Sequence, residues 1–155
     1  MKRCLAIAFS MLPFIALPCH ANLGDTLAMC EQRYGPPVPG LDRPDPSGVG
    51  DVLLTFKKNG YVVRAVLVRG YVGGESFAKA DGAPLTDKEK LALMEAEAHG
   101  WAWAKNTAAA GENWLRTDGA VASYVPAQHF LVLESKEYLT AVAVKQAAKA
   151  ASANK

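Results

Sequence analysis

The stretch Val52–Lys79, VLLTFKKNGYVVRAVLVRGYVGGESFAK, decides the fold because it holds three apolar, β-branched runs separated by two tight-turn dipeptides. Asn59-Gly60 readily takes the positive φ angles of a type I′ hairpin, and it predicts that the first two runs pair antiparallel. Arg69-Gly70 predicts the turn into the third run, in which Gly73-Gly74 is typical of a β-bulge. The predicted strands are Val52–Lys57, Tyr61–Val68 and Tyr71–Lys79.

A short helix is predicted before this meander, over residues 22–35. Leu27, Cys30 and Tyr34 share one apolar stripe at helical spacing. Asp25 or Thr26 can cap the start of the helix, and Gly35 with the two prolines after it ends the pattern. Because Cys30 lies on the inward stripe, we expect it to be a buried structural thiol. A disulfide between chains and a nucleophilic role are the alternatives. A nucleophile needs a neighbouring base, and no histidine is near Cys30 in sequence.

Residues 35–50, GPPVPGLDRPDPSGVG, contain five prolines and four glycines. This composition sustains neither a helix nor a strand ladder, so it predicts a stiff exposed loop. We interpret the loop as a connector, with contact to a partner as the alternative.

A second helix is predicted after the meander. Thr86-x-x-Glu89 has the capping-box pattern, in which hydroxyl and carboxylate satisfy each other's free backbone amides. One apolar face follows at helical spacing, formed by Leu91, Met94 and Ala98. Gly100 is the natural end of the helix, and an Ala-rich loop is expected from there to Glu112.

The last third repeats the hairpin pattern, with turns at Asp118-Gly119 and at residues 126–128. Its predicted strands are Asn113–Thr117, Ala120–Val125 and His129–Ser135. We expect the third of these to continue towards Leu139. The Ala/Lys-rich tail 141–155 has few large apolar residues, which predicts a weak helix or disorder.

Together these elements predict an α+β fold of the order α-βββ-α-βββ. Consecutive hairpins indicate one antiparallel sheet of five to six strands, with two helices packed on one face. The domain is predicted to span residues 22–140. Asn59-Gly60 and Asp118-Gly119 occupy equivalent places in its two halves, which suggests an internal duplication.

The N-terminus has the pattern of a removable secretory signal peptide over residues 1–21. A positive n-region precedes an uncharged stretch, and Cys19 and Ala21 supply small residues for a cleavage between Ala21 and Asn22. A retained membrane anchor and lipidation of Cys19 are the alternatives, but the stretch is short and interrupted by prolines. We therefore expect a periplasmic or secreted protein with no stable membrane span after processing.

Charge and cysteine content change once this leader is removed. The full chain has 17 Lys and Arg against 15 Asp and Glu, and Lys2 and Arg3 leave with the leader. The mature chain is then neutral and has no basic patch, so nucleic acid is not an expected partner. Since Cys30 is the one cysteine that remains, no internal disulfide is expected.

No motif in the sequence predicts catalysis or a cofactor. Glu95 and His99 lie four apart on the second helix, but a zinc site needs three or four converging ligands and the other mature histidine is His129. There is neither a Gly-x-Ser-x-Gly elbow nor a phosphate loop. We expect no enzymatic activity, no cofactor and no metal site.

Three tryptophans lie close together in sequence, at Trp101, Trp103 and Trp114. A small domain with two helices needs large groups to fill its core, so core packing is the main interpretation. Indoles also anchor protein interfaces and stack on sugars. Contact with a protein partner, or with a glycan or small ligand, therefore stays open as an alternative.

The pattern Gly24-x-Thr26-x-x-x-Cys30-x-x-x-Tyr34-Gly35-x-Pro37, followed by a β-meander, resembles the opening unit of the small β-barrel-assembly lipoproteins (SmpA/OmlA type). It is also similar to the repeat unit of the β-lactamase-inhibitor proteins. The chain as a whole resembles small exported bacterial proteins of unassigned function. These resemblances imply a scaffold that binds other proteins and carries out no catalysis.

We therefore expect a protein-binding or adaptor domain of the cell envelope, with another envelope protein as its partner. The alternative is an envelope enzyme or carrier that binds a glycan or small ligand through a Trp-lined site. A carrier or enzyme needs a concave pocket lined by Trp101, Trp103 or convergent polar groups. An adaptor would present a shallow exposed face or loop.

Overall fold

Within residues 23–153, which the computed structural model describes, the chain forms one seven-stranded antiparallel sheet and three helices. The α+β class and the antiparallel sheet are confirmed, but five to six strands and two helices were too few. The elements are α1 Leu27–Tyr34, β1 Val52–Lys58, β2 Tyr61–Val68, β3 Tyr71–Lys79, α2 Asp87–Ala96, β4 Trp103–Lys105, β5 Glu112–Arg116, β6 Val121–Val125, β7 Phe130–Glu134 and α3 Lys136–Ala153. The predicted leader 1–21 and its cleavage between Ala21 and Asn22 lie outside the described residues.

The sheet order is β1-β2-β3-β7-β6-β5-β4, so the last strands of the two halves lie side by side. β3 and β7 pair antiparallel, from Gly74 opposite Glu134 to Ala78 opposite Phe130. The two meanders therefore join into one sheet through their last strands. The internal duplication itself stays a prediction.

The hairpin turns follow the sequence prediction. Asn59 and Gly60 have φ angles of 49° and 81°, and Arg69 and Gly70 have 53° and 84°. Each pair joins two antiparallel strands as a two-residue loop, which is the type I′ geometry. These two turns therefore set the register of β1, β2 and β3.

The bulge predicted in β3 is present at Gly73. Val66 lies opposite Gly74 but Leu67 lies opposite Val72, so Gly73 is the extra residue. A Cβ atom at Gly73 would lie 3.2 Å from the Cβ of Tyr138, the residue of α3 that is buried. The missing side chain is what lets α3 begin directly against the sheet.

Helix α1 lies within the predicted range 22–35, and its N-cap is Thr26, one of the two capping residues that the sequence predicts. Thr26 accepts a hydrogen bond from the amide of Met29, and the helix begins at Leu27. The residues before it pair with β3 instead, since the Gly24 amide donates to the Val72 carbonyl at 2.8 Å.

Helix α2 has the predicted start but a different buried face. Thr86 and Glu89 form the capping box. Met94 is buried as expected, whereas Leu91 is exposed. Lys90 takes the buried position instead because its ammonium reaches Glu112 on β5 and lies 4.5 Å from the ring centroid of Tyr124 on β6. A buried cation is tolerated when it is paired in this way.

Two elements differ from the sequence prediction. The expected Ala-rich loop contains the three-residue strand β4, which pairs Trp103 with Arg116 of β5. The last strand ends at Glu134, and the chain turns into α3 instead of extending towards Leu139. Residues 141–153 of the tail, for which a weak helix was one of the two predicted states, continue α3.

One face of the sheet carries the hydrophobic core, and α1 and α2 both pack against it. The helices contribute Cys30, Tyr34 and Met94 to the cluster. The strands contribute alternate residues, among them Phe56, Val63, Phe77, Leu131, Leu133, Ala122 and Trp114. Because side chains alternate along a strand, the other residues of each strand project from the second face.

Candidate binding surface

The second face of the sheet is open over much of its width and is more apolar than a solvent-facing sheet surface usually is. We call it the open face. Cross-strand pairing arranges its side chains in three rows: Leu53, Val66, Gly74, Glu134, Val121 and Leu115; Thr55, Arg64, Ser76, Val132, Ser123 and Asn113; Lys57, Val62, Ala78, Phe130 and Val125. Most of these residues are half-buried. Apolar surface that lies open on a sheet is a candidate for an interaction site.

A shallow groove runs along β3 on the open face. The open-face residues of β3 are Gly74, Ser76 and Ala78, all small. Larger side chains stand on both sides, with Arg64 and Val66 on β2 and Val132 and Phe130 on β7. A cavity of about 270 Å³ lies at the end of the groove next to Gly74 and Tyr138, which we call its upper end. The groove is therefore a consequence of residue size along one central strand.

The proline-rich loop and α3 meet at that upper end of the groove. Tyr138 donates from its hydroxyl to Asp45, at 3.2 Å from Oδ1, and Asp45 also accepts from the Gly50 amide at 2.8 Å. Burial opposes the charge of Asp45, but hydrogen bonds from Ser47, Gly50 and Tyr138 hold the pKa of Asp45 below its ordinary value. Lys145 of α3 additionally donates to the Gly48 carbonyl. The loop is thus fastened to the helix.

Arg64 and Glu134 are charged groups of the sheet that line the groove, and Arg43 of the proline-rich loop lines the cavity at its end. Neither Arg64 nor Glu134 takes part in an ion pair among the residues that the structure describes. Burial, with a contribution from the negative charge of Asp45, raises the pKa of Glu134. Arg64 and Glu134 therefore line the same groove without forming an ion pair in the described part of the chain.

The three tryptophans do not form one site. Trp101 is 50 % exposed, whereas Trp114 is buried in the core. Trp103 donates from its indole nitrogen to the Met94 carbonyl at 2.7 Å, and the guanidinium of Arg116 lies 5.4 Å from its ring centroid. Trp103 therefore fastens β4 to the end of α2, and Trp101 is the one of the three that is open to a partner.

His99 and His129 both lie in turns. His99 and His129 have φ angles of 48° and 57°, and Nδ1 of His129 lies 2.9 Å from the Gly82 carbonyl. Glu95, four residues before His99, is exposed. Among the described residues, no group of three or more histidine, cysteine or acidic side chains is placed to hold a metal ion.

A cluster of buried ionisable groups, which no sequence pattern predicts, lies between the sheet and the helices. Glu75 of β3 is 2 % exposed and Glu97, the C-cap of α2, is 0 % exposed. Tyr34 donates to Glu75 at 3.5 Å, and the Leu23 amide donates to Glu97 at 3.0 Å. Arg33 is paired with Asp25 at the edge of the cluster.

Burial raises the pKa of Glu75 well above its usual range, and the negative charge of Glu97 raises it further. Burial likewise raises the pKa of Glu97, against the opposing effect of the Leu23 amide and of Arg33 and Arg116. One oxygen of each carboxyl, Oε1, has no hydrogen-bond partner. Such oxygens are costly to bury as carboxylates, so the protonated form is favoured. With so little exposure, neither group can reach a ligand in this conformation.

Cys30 lies beside this cluster and is 1 % exposed. Burial raises the pKa of its thiol to about 12, with the charge of Glu75 as the next cause. A thiol in this state forms little thiolate and cannot be approached by a partner chain. The geometry favours the structural role over the nucleophile and the disulfide between chains.

The open face is the candidate site that the sequence interpretation missed. A signal for it does exist in β2, where YVVRAVLV has apolar residues at both odd and even positions. Val63, Ala65 and Leu67 face the core, but Val62, Val66 and Val68 face the other side. A strand with one solvated face would alternate apolar and polar residues.

No protein-family model matches this sequence, and neither a curated protein nor a solved structure matches it. The resemblance of the opening unit to the assembly lipoproteins and inhibitor proteins stays a prediction. No helix within residues 23–153 has the length and apolar character needed to cross a membrane.

Proposed function

We propose that this protein is an exported, non-enzymatic binding domain of the cell envelope, whose open face holds an extended apolar segment of another envelope protein. The observation that carries the proposal is the groove along β3, with its floor of Gly74, Ser76 and Ala78 between larger side chains, most of which are apolar. Covering this surface would remove apolar area from water, which is the main driving force of protein association.

The shape of the groove supports an extended segment as the occupant. It follows one strand, and its floor is made of side chains too small to fill the space above them. A helix or a flat sheet of the partner would contact the flanking rows of side chains and leave the floor of the groove empty. An extended segment can instead place alternate side chains into the groove.

The charge of the groove supports a segment with an acidic residue. Arg64 lies on β2 directly opposite Ser76, at the middle of the groove, and no acidic side chain of the described residues pairs with it. A carboxylate of the partner at this point would form a charge-assisted hydrogen bond with the guanidinium. We expect that contact to set the register of the bound segment.

The edge of the sheet at β1 is less suited to binding, because the proline-rich loop covers it. The Val38 amide donates to the Thr55 carbonyl at 2.7 Å, and Arg43 forms a bridge with Leu53. The backbone groups that strand addition would need are therefore already used. This favours the open face over the β1 edge.

The Trp-lined site of the alternative is not supported, because the three tryptophans have separate surroundings. Trp101 is exposed, Trp103 is fastened to α2, and Trp114 is in the core. We therefore do not retain a glycan enzyme or carrier built on these residues.

The proposal is tested by site-specific photo-crosslinking in living cells. A photoreactive residue at Ser76 lies on the floor of the groove, and one at Glu95 of α2 is the matched exposed control. We expect Ser76 to crosslink a defined envelope protein through one peptide segment, and we expect that product to be lost in Val132→Asp and weakened in Arg64→Gln. A crosslink pattern shared with Glu95, or no protein product from Ser76, would refute the proposal.

A further inference from the structure

An apolar cavity lies on the core side of the sheet, opposite to the open face. It measures about 280 Å³ and opens to solvent between α2 and the β1–β2 hairpin. Its lining consists of Tyr34, Lys58, Asn59, Tyr61, Val63, Phe77, Lys88, Glu89, Ala92, Leu93 and Ala96. The volume is nearly twice that of a roughly 150 Å³ apolar cavity that binds benzene.

The cavity exists because α2 turns small residues towards this part of the sheet. Lys88, Ala92 and Ala96 follow each other at intervals of four, so they lie in one line along the helix. The two methyl groups and Leu93 form the accessible wall of the cavity, and Val63 and Phe77 form its floor, where each keeps only 2 % of its surface exposed. The inner part of the cavity is therefore lined by apolar side chains.

The polar groups stand at the mouth. Glu89 is already engaged, since Lys79 pairs with it at 2.9 Å and the Thr86 amide donates to it at 2.7 Å. Lys58 and Lys88 are exposed, and neither has an ion-pair partner among the described residues. The mouth thus offers two unengaged cations above an apolar interior.

We propose that this cavity binds a single-chain amphiphile with an anionic head group, such as a medium-chain fatty acid. The chain would lie over Val63 and Phe77, and the head group would lie between Lys58 and Lys88. This ligand goes beyond the protein partner of the open face, and its site shares no residue with the groove along β3.

Both parts of the ligand are needed for affinity. Each methylene group that enters the apolar interior raises the affinity roughly fourfold. The two ammonium groups hold the anionic head where it can keep contact with water, so the charge is not buried. A neutral head group of the same chain length would lose only the second contribution.

Calorimetric titration of the mature protein with decanoate, below its micelle concentration, tests the proposal. We expect saturable binding of one decanoate, weaker binding of decanol, and no measurable binding of butyrate. The double variant Lys58→Gln/Lys88→Gln is expected to bind decanoate at least about tenfold more weakly, while its affinity for decanol is unchanged. Lys57→Gln, on the opposite face of the same strand, is the matched control and should bind like the native protein.

Filling the cavity gives the second test. Ala96→Leu places a larger side chain in the interior, and we expect it to abolish binding of both decanoate and decanol without lowering the melting temperature. Ala92→Leu, nearer the mouth, serves if Ala96→Leu does not fold. Decanoate binding that survives both substitutions, that falls equally in Lys57→Gln, or that is absent in the native protein would overturn the proposal. The Ser76 crosslink is unaffected by decanoate if the two sites are independent.

Discussion

The hydroxyl of Tyr138 donates to the carboxylate of Asp45 across 93 residues of sequence, at 3.2 Å from Oδ1. This contact joins α3 to the proline-rich loop at the upper end of the groove. The same tyrosine packs its ring against the backbone of Gly73 and Gly74. One side chain therefore fixes both the last helix and the loop relative to the open face.

Tyr138→Phe removes this hydrogen bond and leaves the ring in place. We expect the free energy of unfolding to fall by about 1–2 kcal/mol, because the carboxylate of Asp45 loses a donor in a buried setting. The difference should persist down to the ordinary aspartate value of 3.8 and shrink below it, because the pKa of Asp45 in the folded protein lies below that value and a protonated Asp45 needs the donor less. Urea unfolding at several pH values measures both effects. Equal stability of the two proteins at pH 7 would show that the contact is not formed in solution.

Gly73→Ala tests the packing of the same ring. The added methyl group would lie 2.8 Å from Cγ2 of Val68 and 3.2 Å from two carbon atoms of Tyr138. We expect a loss of roughly 1–3 kcal/mol in the free energy of unfolding, together with faster amide exchange in the first turn of α3. Gly74→Ala is the matched control, because the nearest atoms to its methyl group are 3.5 Å away. A larger effect at residue 74 than at residue 73 would contradict the proposed packing.

Local chemistry explains which parts of this fold were predictable. The turn at Asn59-Gly60, the bulge at Gly73 and the capping box of Thr86 with Glu89 each depend on a few neighbouring residues, and each is present as predicted. Strand β4 was missed because its three residues have no alternating pattern and are fixed by the contacts of Trp103 with distant groups.

The buried carboxyl cluster and the groove of the open face both depend on tertiary structure and could not be predicted from local sequence. Nothing in the sequence brings Glu75 and Glu97 together, because they lie on a strand and at a helix end whose packing is decided by the core. The groove likewise needs the sheet order, since its walls come from β2 and β7, and these two strands are separated in sequence by one helix and four other strands. Only the two-sided apolar pattern of β2 pointed to it in advance.

Cys30 is expected to react slowly in the folded protein. Its thiol is buried, and the pKa of about 12 leaves almost no thiolate at pH 8. Modification by a disulfide reagent should therefore proceed at the rate of opening of the domain and become fast in denaturant. Stopped-flow absorbance with and without guanidinium measures the ratio. A fast reaction under native conditions would show that the thiol is accessible, and a disulfide between chains would then again be an open alternative.

Glu97→Gln is expected to change the dependence of stability on pH. Burial raises the pKa of Glu97 to about 8 in the folded state, although Leu23, Arg33 and Arg116 oppose the shift. The unfolded chain has the ordinary value of 4.5. Between these two values the folded protein holds a proton that the unfolded chain has released. The free energy of unfolding therefore falls as the pH rises through this window, by up to about 1.4 kcal/mol per pH unit for each such proton.

The glutamine variant keeps an oxygen acceptor for the Leu23 amide but carries no charge. It should accordingly be more stable than the native protein at pH 8, similar to it at pH 4, and less dependent on pH between them. Glu75→Gln is expected to act in the same direction, since Glu75 belongs to the same cluster. Glu95→Gln, exposed on α2, is the matched control and should leave the pH profile unchanged. Thermal unfolding from pH 4 to pH 9 decides the matter: a glutamine variant that is less stable at pH 8 would mean that the Glu97 carboxylate is ionised and satisfied in the folded state.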